Sequence, residues 1–243
     1  MILGLIPSRL HSTRLKKKPL LEIDGLPIIV HTLKRSMLSK KLDKVIVCTD
    51  SQEIVNAVEN NGGEAIITSS EHKNGTERIA EVAKNFQADL IVDIQGDEPL
   101  VNPSDIDQVI NFHQKNNHFD VVLPCVKTDN PESRHVIKVI KTKGNKVLYF
   151  SRSKIPFIFK TQPKFYLKDL SVISFKPQKL QEFSKLEESQ LEATEGIELL
   201  RALENDFNLG TLLLEGRPFS IDVNEDLMKA IDIMPKDAIR KLY

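Results

Sequence analysis

Residues 90–99 read Leu-Ile-Val-Asp-Ile-Gln-Gly-Asp-Glu-Pro, an apolar run that ends in an acidic turn. The run Leu90–Ile94 is typical of a strand covered on both faces of a sheet, and we expect it to be the central strand. Asp97 and Glu98 would lie at its carboxyl end, where a carboxylate can hold Mg²⁺ against a nucleotide. A surface turn also uses Gly, Asp and Pro, but the position after a central strand favours a functional loop.

Similar apolar runs alternate with helical patterns on either side of this strand. Further strands are predicted at residues 2–6, 44–48, 65–68 and 121–125. Helices are predicted from Pro27 onward, with Ile29, Leu33 and Met37 facing a core, and over 51–60, 75–86 and 104–114. Strands that alternate with helices indicate an α/β fold with a mainly parallel sheet, in which ligands bind at the carboxyl ends of the strands.

The alternation ends after Cys125. A β-hairpin is predicted over residues 136–150, with its turn at Gly144 and Asn145. Beyond it we expect a strand over 166–175 and helices over 178–183, 192–205 and 227–243. No repeat or Gly/Ser linker interrupts the chain, so residues 1–243 are predicted to form one domain in which the second half elaborates the first.

Composition limits the partners and the compartment. Of 243 residues, 34 are Lys or Arg and 34 are Asp or Glu, so no overall charge draws the chain to nucleic acid or to a membrane. Cys48 and Cys125 both lie in apolar runs, where buried free thiols are expected. No apolar run has the length of a membrane span or a signal sequence. These features predict a cytoplasmic protein.

A basic loop follows the first predicted strand. Five cationic side chains fall within ten residues: Arg9, Arg14, Lys16, Lys17 and Lys18. Arginine binds phosphate oxygens in pairs, lysine supplies a point charge, and Ser12 and Thr13 add short donors, so a polyphosphate would be well held here. The loop matches neither a Walker A nor a GxGxxG motif, and a solvated basic loop is an equal alternative.

A second loop, Asn74-Gly-Thr-Glu-Arg78, precedes an apolar helix. Asn74 or Thr76 would cap that helix, and Gly75 would let a base or ribose approach the backbone amides. Read together, a basic loop, a base-cradling loop and an acidic strand end predict a nucleotide site with a metal.

These motifs resemble a known family. The stretch from Ile6 to Leu20 resembles the signature of sugar-activating cytidylyltransferases, and Cys48-Thr-Asp50, Asn74–Arg78 and residues 95–99 follow in that family's order. Ile137-Lys-Val139, Leu148-Tyr-Phe-Ser-Arg152 and Ile221-Asp222 extend the resemblance over nearly the whole chain. The best match is to the 3-deoxy-manno-octulosonate (Kdo) cytidylyltransferases, or CMP-Kdo synthetases.

The resemblance implies a Rossmann-like nucleotidyltransferase fold, usually homodimeric, that transfers CMP from CTP to Kdo with Mg²⁺ and releases pyrophosphate for lipopolysaccharide or capsule synthesis. Residues 1–127 would then be the nucleotide-binding half, and 128–243 the acceptor-binding and dimerisation half. The implied catalytic residues are Lys18, Asp97 and Asp222, of which the two aspartates would bind the metal. The implied nucleotide-binding residues are Arg9, Ser12, Arg14, Lys18, Asn74, Gly75, Thr76, Arg78 and Gln95. The implied acceptor-binding residues are Lys138, Arg152, Asp169 and Glu198, with Lys138 alternatively an exposed strand residue.

The chain departs from the family in two places. Lys16-Lys17 replaces a usual Pro-Gly, which predicts a more basic and less sharply turned loop. In the second half, Asp169, Ile173 and Leu199 stand where the family has His, Tyr and Gln, so hydrogen-bond donors are lost and an acid is gained. The acceptor is therefore expected to be Kdo or a related, for example amino-substituted, ulosonic acid. A catalytically silent CTP-binding protein is the alternative from a different class.

Overall fold

The computed structural model describes residues 1–11, 15–216 and 219–243. The strands are β1 (Ile2–Ser8), β2 (Glu22–Ile23), β3 (Leu26–Pro27), β4 (Lys44–Thr49), β5 (Ala65–Ile67), β6 (Leu90–Ile94), β7 (Val121–Thr128), β8 (Lys138–Lys141), β9 (Val147–Ser151), β10 (Tyr166–Asp169), β11 (Val172–Phe175) and β12 (Leu209–Leu213). The α-helices are α1 (Ile28–Met37), α2 (Gln52–Glu59), α3 (Gly75–Ala83), α4 (Pro103–Lys115), α5 (Pro177–Phe183), α6 (Gln190–Glu195), α7 (Leu199–Glu204) and α8 (Asn224–Ile233). Short 3₁₀ turns span Lys18–Leu20, Met234–Lys236 and Ile239–Leu242.

The chain divides into two compact units. The first contains Met1–Gln108 and residues 219–243, and the second contains residues 109–216. The last part of the chain therefore returns to the unit that the first part builds. The organisation as one domain stays a prediction.

Parallel strands form the sheet of the first unit. β1 lies between β4 and β6, and β5 pairs with the far side of β4. After β1 the chain thus adds β4 and β5 on one side and then β6 on the other. At such a reversal the loops that follow the two neighbouring strands diverge, which opens a crevice at their carboxyl ends. In this unit the crevice falls beyond Ser8 and Ile94.

Apolar side chains from both faces of this sheet form the core of the first unit. Every residue of β1 and of β6 is buried. Ile29 and Leu33 of α1 are fully buried, as the spacing predicted. The prediction for Met37 was wrong, because this last residue of the helix is 49% exposed.

The second unit is built around β7. β10 and β11 pair with it antiparallel, and β12, which the sequence did not predict, pairs with it parallel. β8 and β9 form the predicted hairpin, and Asn145 in its turn has a positive φ of 65°. Asn tolerates this left-handed conformation better than most residues, which explains its place in the turn.

Three predicted elements were wrong because single residues interrupt them. The strand over 166–175 is two strands, and the break faces Pro124 of β7, which has no N–H to continue a ladder. The helix over 192–205 is split where Gly196, with φ 60°, ends α6. The closing helix begins earlier than predicted and ends at Ile233, because Pro235 removes a donor and 3₁₀ turns follow.

Candidate active site

A cavity of about 390 Å³ lies in the first unit, at the carboxyl ends of β1 and β6. The three loops that the sequence singled out supply most of its lining: Pro7, Ser8, Arg9, His11, Lys18, Pro19, Asn74, Gly75, Arg78, Gln95, Gly96 and Asp97. The rest comes from Ile28, His72, Lys73 and Asp222. The structure therefore brings together most of the residues predicted for the nucleotide and the metal. Ser12 and Arg14, also predicted to bind the nucleotide, lie outside the described residues.

Lys18 links two segments that line the cavity. Its ammonium donates to Asp97 Oδ2 at 2.6 Å and to the carbonyl of Ile221 at 2.9 Å. The backbone N–H of Ile221 in turn donates to the carbonyl of Asp97 at 3.0 Å. These bonds hold the C-terminal segment beside the loop after β6, so Asp222 lines the same cavity as Asp97 although 125 residues separate them in the sequence.

The basic loop turns more sharply than its lysines predicted. Lys17 adopts a left-handed conformation, with φ 53° and ψ 35°, just before the 3₁₀ turn that carries Lys18. Its side chain pairs with Glu53 of α2 at 2.7 Å. The expectation of a less sharply turned loop was therefore wrong: Lys17 occupies the conformation that glycine adopts most easily, and an ion pair accompanies it.

The loop before α3 both caps the helix and lines the cavity. Asn74 Oδ1 accepts from the N–H of Glu77 at 2.8 Å, which confirms the predicted cap. A Cβ at Gly75 would lie 3.1 Å from the ring of Pro7, so glycine permits the close approach of this loop to the end of β1. Thr76, predicted to contact the nucleotide, is buried in α3 and does not line the cavity.

Arg78 lines the cavity, but its guanidinium donates hydrogen bonds to protein groups. It is 3% exposed and donates to Thr68 Oγ1 at 2.5 Å, to the carbonyl of Ser69 at 3.2 Å and to Asp50 Oδ2 at 3.1 Å. Asp50 Oδ1 accepts from the N–H of Leu10 at 3.4 Å. Arg78 therefore ties α3, through Asp50, to the loop that carries Arg9.

Hydrogen bonds fix the orientation of the Gln95 side-chain amide. Its Nε2 donates to both carboxylate oxygens of Asp93, at 3.1 and 3.0 Å. Asp93 belongs to β6 and is 1% exposed. Sequence reasoning missed this residue, because an aspartate inside an apolar run reads only as a position in a strand.

Sequence reasoning also missed the histidines of the cavity, His11 and His72. His72 Nε2 pairs with Glu81 of α3, and this hydrogen bond lowers the pKa of the Glu81 carboxyl. Glu81 also accepts from the N–H of Ser69 at 3.0 Å, so the pair fastens the loop to the helix. Their only signal in the sequence was proximity to the motifs that begin at Ile6 and Asn74.

The residues predicted for the acceptor all belong to the second unit. The alternative of an exposed strand residue is wrong for Lys138, which is fully buried and donates to the carbonyls of Ser133, Val136 and Arg152 at 2.9, 2.6 and 2.5 Å. Its burial lowers the pKa of the ammonium. With its three donors engaged, Lys138 ties residues 133–136 to the backbone of Arg152.

The remaining three acceptor candidates differ in their surroundings. Arg152 donates to the carbonyls of Glu195, Arg134 and Gly196 at 2.6, 3.0 and 3.0 Å. Asp169 ends β10, and burial raises the pKa of its carboxyl to about 6. Glu198 stands at the N-cap of α7. Their roles toward an acceptor stay predictions.

The donors in the cavity suit a hard divalent cation that is shared with phosphates. The described residues contain no group of three or more His, Cys, Asp or Glu side chains arranged to hold a metal alone. Mg²⁺, however, is usually bound by one or two carboxylates together with substrate phosphates and water. Asp97 and Asp222 supply two such carboxylates, beside Lys18.

The chain is similar to proteins of known class. Residues 3–211 match the model of a family described as cytidylyltransferase. A 3-deoxy-manno-octulosonate cytidylyltransferase from Syntrophobacter fumaroxidans is 37% identical over an alignment of 246 positions, which covers 98% of each chain. The enzyme of the same name from Rickettsia felis is 38% identical over 233 residues, covering 93% of this chain and 92% of the other. This chain belongs to the family of 3-deoxy-manno-octulosonate cytidylyltransferases.

A solved structure agrees with that assignment. The structure of CMP:2-keto-3-deoxy-manno-octonic acid synthetase complexed with CTP superposes with a TM-score of 0.93 at 31% identity, covering 97% of this chain and 98% of the other. The predicted Rossmann-like nucleotidyltransferase fold, with its mainly parallel sheet and flanking helices, is confirmed. Cys48 and Cys125 are buried free thiols, also as predicted. Among the described residues, no helix is both long and apolar enough to span a bilayer.

Proposed function

We propose that the chain transfers CMP from CTP to the anomeric hydroxyl of Kdo, with release of pyrophosphate, and that the cavity of the first unit binds CTP. The observation that carries this proposal is the meeting, in one cavity, of Lys18, Asp97 and Asp222 with the loop at Asn74. Cations and carboxylates suit a triphosphate with its metal, and a glycine-opened helix N-terminus suits the nucleoside.

The reaction needs negative charge to be neutralised where it develops. The acceptor hydroxyl attacks the α-phosphorus of CTP in line, and the bond to the pyrophosphate oxygen breaks as the new P–O bond forms. Charge then accumulates on the phosphoryl oxygens and on the leaving group, and fixed cations lower the barrier. Lys18, held by Asp97 and by the carbonyl of Ile221, is preorganised for this role. Arg9, at the end of β1, would contact the same phosphates.

Asp97 and Asp222 would hold Mg²⁺. A bound Mg²⁺ would supply positive charge that neutralises the phosphates and lowers the pKa of the attacking hydroxyl. The two carboxylates are related to the ammonium of Lys18 in different ways. Asp97 fixes the ammonium of Lys18 at 2.6 Å, and Asp222 follows Ile221, which accepts from that same ammonium.

One observation favours a second acceptor, an amino-substituted ulosonic acid. Asp169 stands where the family has His, and burial raises the pKa of its carboxyl, so the charged form lacks full compensation in the protein alone. A ligand ammonium would supply that compensation. Kdo and an amino-substituted analogue therefore both belong in the acceptor panel.

A homodimer in the cytoplasm completes the proposal. Phe157 and Phe159 are each 84% exposed in the second unit, and exposed aromatic side chains support a protein interface there. The unpaired Cys48 and Cys125 support a reducing compartment. The product would enter lipopolysaccharide or capsule synthesis. Light scattering of the wild type and of Phe157→Ser/Phe159→Ser tests the dimer, which the double substitution should weaken.

Pyrophosphate release tests the activity. The purified chain is incubated with Mg²⁺, CTP and each acceptor in turn, with ATP and GTP as controls, whose purines need a larger pocket. Release with CTP and Kdo, and not without an acceptor, is expected. Binding of CTP measured by calorimetry, without pyrophosphate release from any acid sugar, would instead identify a catalytically silent nucleotide-binding protein.

A further inference from the structure

The buried carboxylate of Asp93 fixes the orientation of a side chain that lines the cavity. Asp93 is 1% exposed, and both of its oxygens accept from Nε2 of Gln95, at 3.1 and 3.0 Å. Because both oxygens of Asp93 accept from Nε2, the amide turns its NH₂ group toward Asp93. The opposite orientation would set the carbonyl oxygen of Gln95 against the carboxylate, a repulsive contact in a buried place.

The other end of that amide is available to a ligand. Gln95 lines the cavity and is only partly buried. No hydrogen bond to its Oε1 occurs among the described residues, and this oxygen is not among the buried side-chain atoms without a partner. The amide lies beside the helix N-terminus, since its Nε2 is 3.9 Å from the Cβ that a side chain at Gly75 would carry. Gln95 thus offers an acceptor beside the loop that suits a nucleoside.

We propose that Asp93 is a specificity-determining positioning residue: by fixing Gln95 as an acceptor, it makes the cavity select cytosine over uracil. The inference rests on the proposed function, that CTP binds in this cavity. Cytosine and uracil have nearly the same shape and differ at position 4, where cytosine carries an amino donor and uracil a carbonyl acceptor. An acceptor fixed in place pairs with the amino group and opposes the carbonyl, and a mismatch of this kind discriminates strongly.

The test compares CTP with UTP in wild type and in Asp93→Asn. The substitution keeps the shape of the side chain, but the new amide pairs with Gln95 in either orientation, so Gln95 becomes free to turn over. The ratio of kcat/KM for CTP to that for UTP should fall by about tenfold, with the larger change in UTP. Asp50→Asn is the matched control: it removes a carboxylate from the same edge of the sheet without touching Gln95, and it should weaken both nucleotides alike.

A second variant covers a failure of Asp93→Asn to fold. Gln95→Met removes the acceptor with little change in length, so it should weaken CTP about tenfold and change UTP by less than about twofold. Calorimetry with CTP and UTP alone gives the same ratios without an acceptor sugar. If folded Asp93→Asn, or Gln95→Met where the first variant does not fold, keeps the wild-type ratio within about twofold, the inference is overturned. Equal use of CTP and UTP by the wild type also overturns it, whereas a wild type that binds neither refutes the proposed function itself.

Discussion

Asp169 makes the stability of the chain depend on pH in a direction opposite to that of most aspartates. Burial raises the pKa of its carboxyl from 3.8 to about 6 in the folded chain. Between these two values the folded state holds more protons than the unfolded state, so stability falls as the pH rises. Well below pH 3.8 the carboxyl is protonated in both the folded and the unfolded state, so it does not lower the free energy of unfolding. Above pH 6 it is ionised in both states, and the full cost of burying the charge lowers that free energy.

The magnitude follows from the two pKa values. A difference of about two pKa units corresponds to about 3 kcal/mol, of which about half is reached at pH 5 and nearly all at pH 7. Asp169→Asn removes the titration and keeps the shape. The variant should therefore match the wild type near pH 3.5 and exceed its free energy of unfolding by about 3 kcal/mol at pH 7.

Urea unfolding of both proteins at several pH values between 3.5 and 8 measures this difference. Asp129→Asn serves as the control, because Asp129 lies exposed just beyond β7, and its substitution should change stability by less than about 0.5 kcal/mol throughout. A pH-independent difference between Asp169→Asn and the wild type, or a variant that is less stable at pH 7, would refute the reasoning.

Three further substitutions test the loops of the cavity. Asp97→Asn should lower turnover at least about a hundredfold, since it removes a charge that pairs with Lys18 and that we propose binds the metal. Near-normal turnover at saturating Mg²⁺ would exclude the metal role. Lys18→Ala should also lower kcat with thermal unfolding little changed; a wild-type rate would reduce the basic loop to surface charge. Lys17→Gly, made in a Glu53→Gln background to remove the ion pair, should raise the free energy of unfolding by about 1 kcal/mol in urea titrations, because glycine relieves the left-handed strain. A lower free energy of unfolding for that variant would refute the proposal that Lys17 is strained.

The sequence predicted most of the first unit because its signals are local. Apolar runs and helical spacing lie within short windows, and β1, β4, β5 and β6 were found within three residues of their ends. The errors came from single residues whose effect depends on a partner. Pro124 interrupts a ladder only because another strand pairs with it, and Gly196 ends a helix that its neighbours would continue.

A site residue could be predicted from the sequence where its side chain faces the cavity, and could not where its side chain bonds to the rest of the chain. The loop motifs lie at strand ends, and the structure gathers most of them at one cavity. Lys138 and Arg78 look in sequence like ligand-binding cations, yet their donors are spent on carbonyls and side chains of the chain itself. Asp93 shows the converse, since the role proposed for it rests on its contact with Gln95, which no periodicity reveals.

The return of the C-terminal segment to the first unit determines when, during synthesis, the candidate active site can be completed. Chains fold from the N-terminus as the ribosome extends them, so the four parallel strands can assemble early. The hydrogen bonds of Lys18 to the carbonyl of Ile221, and of the N–H of Ile221 to Asp97, form only after Ile221 has been synthesised. Asp222 joins the cavity at the same stage. A nascent chain stalled before residue 219 would carry the nucleotide loops without this closure. Ribosome-bound intermediates should accordingly be folded in part and unable to catalyse the transfer.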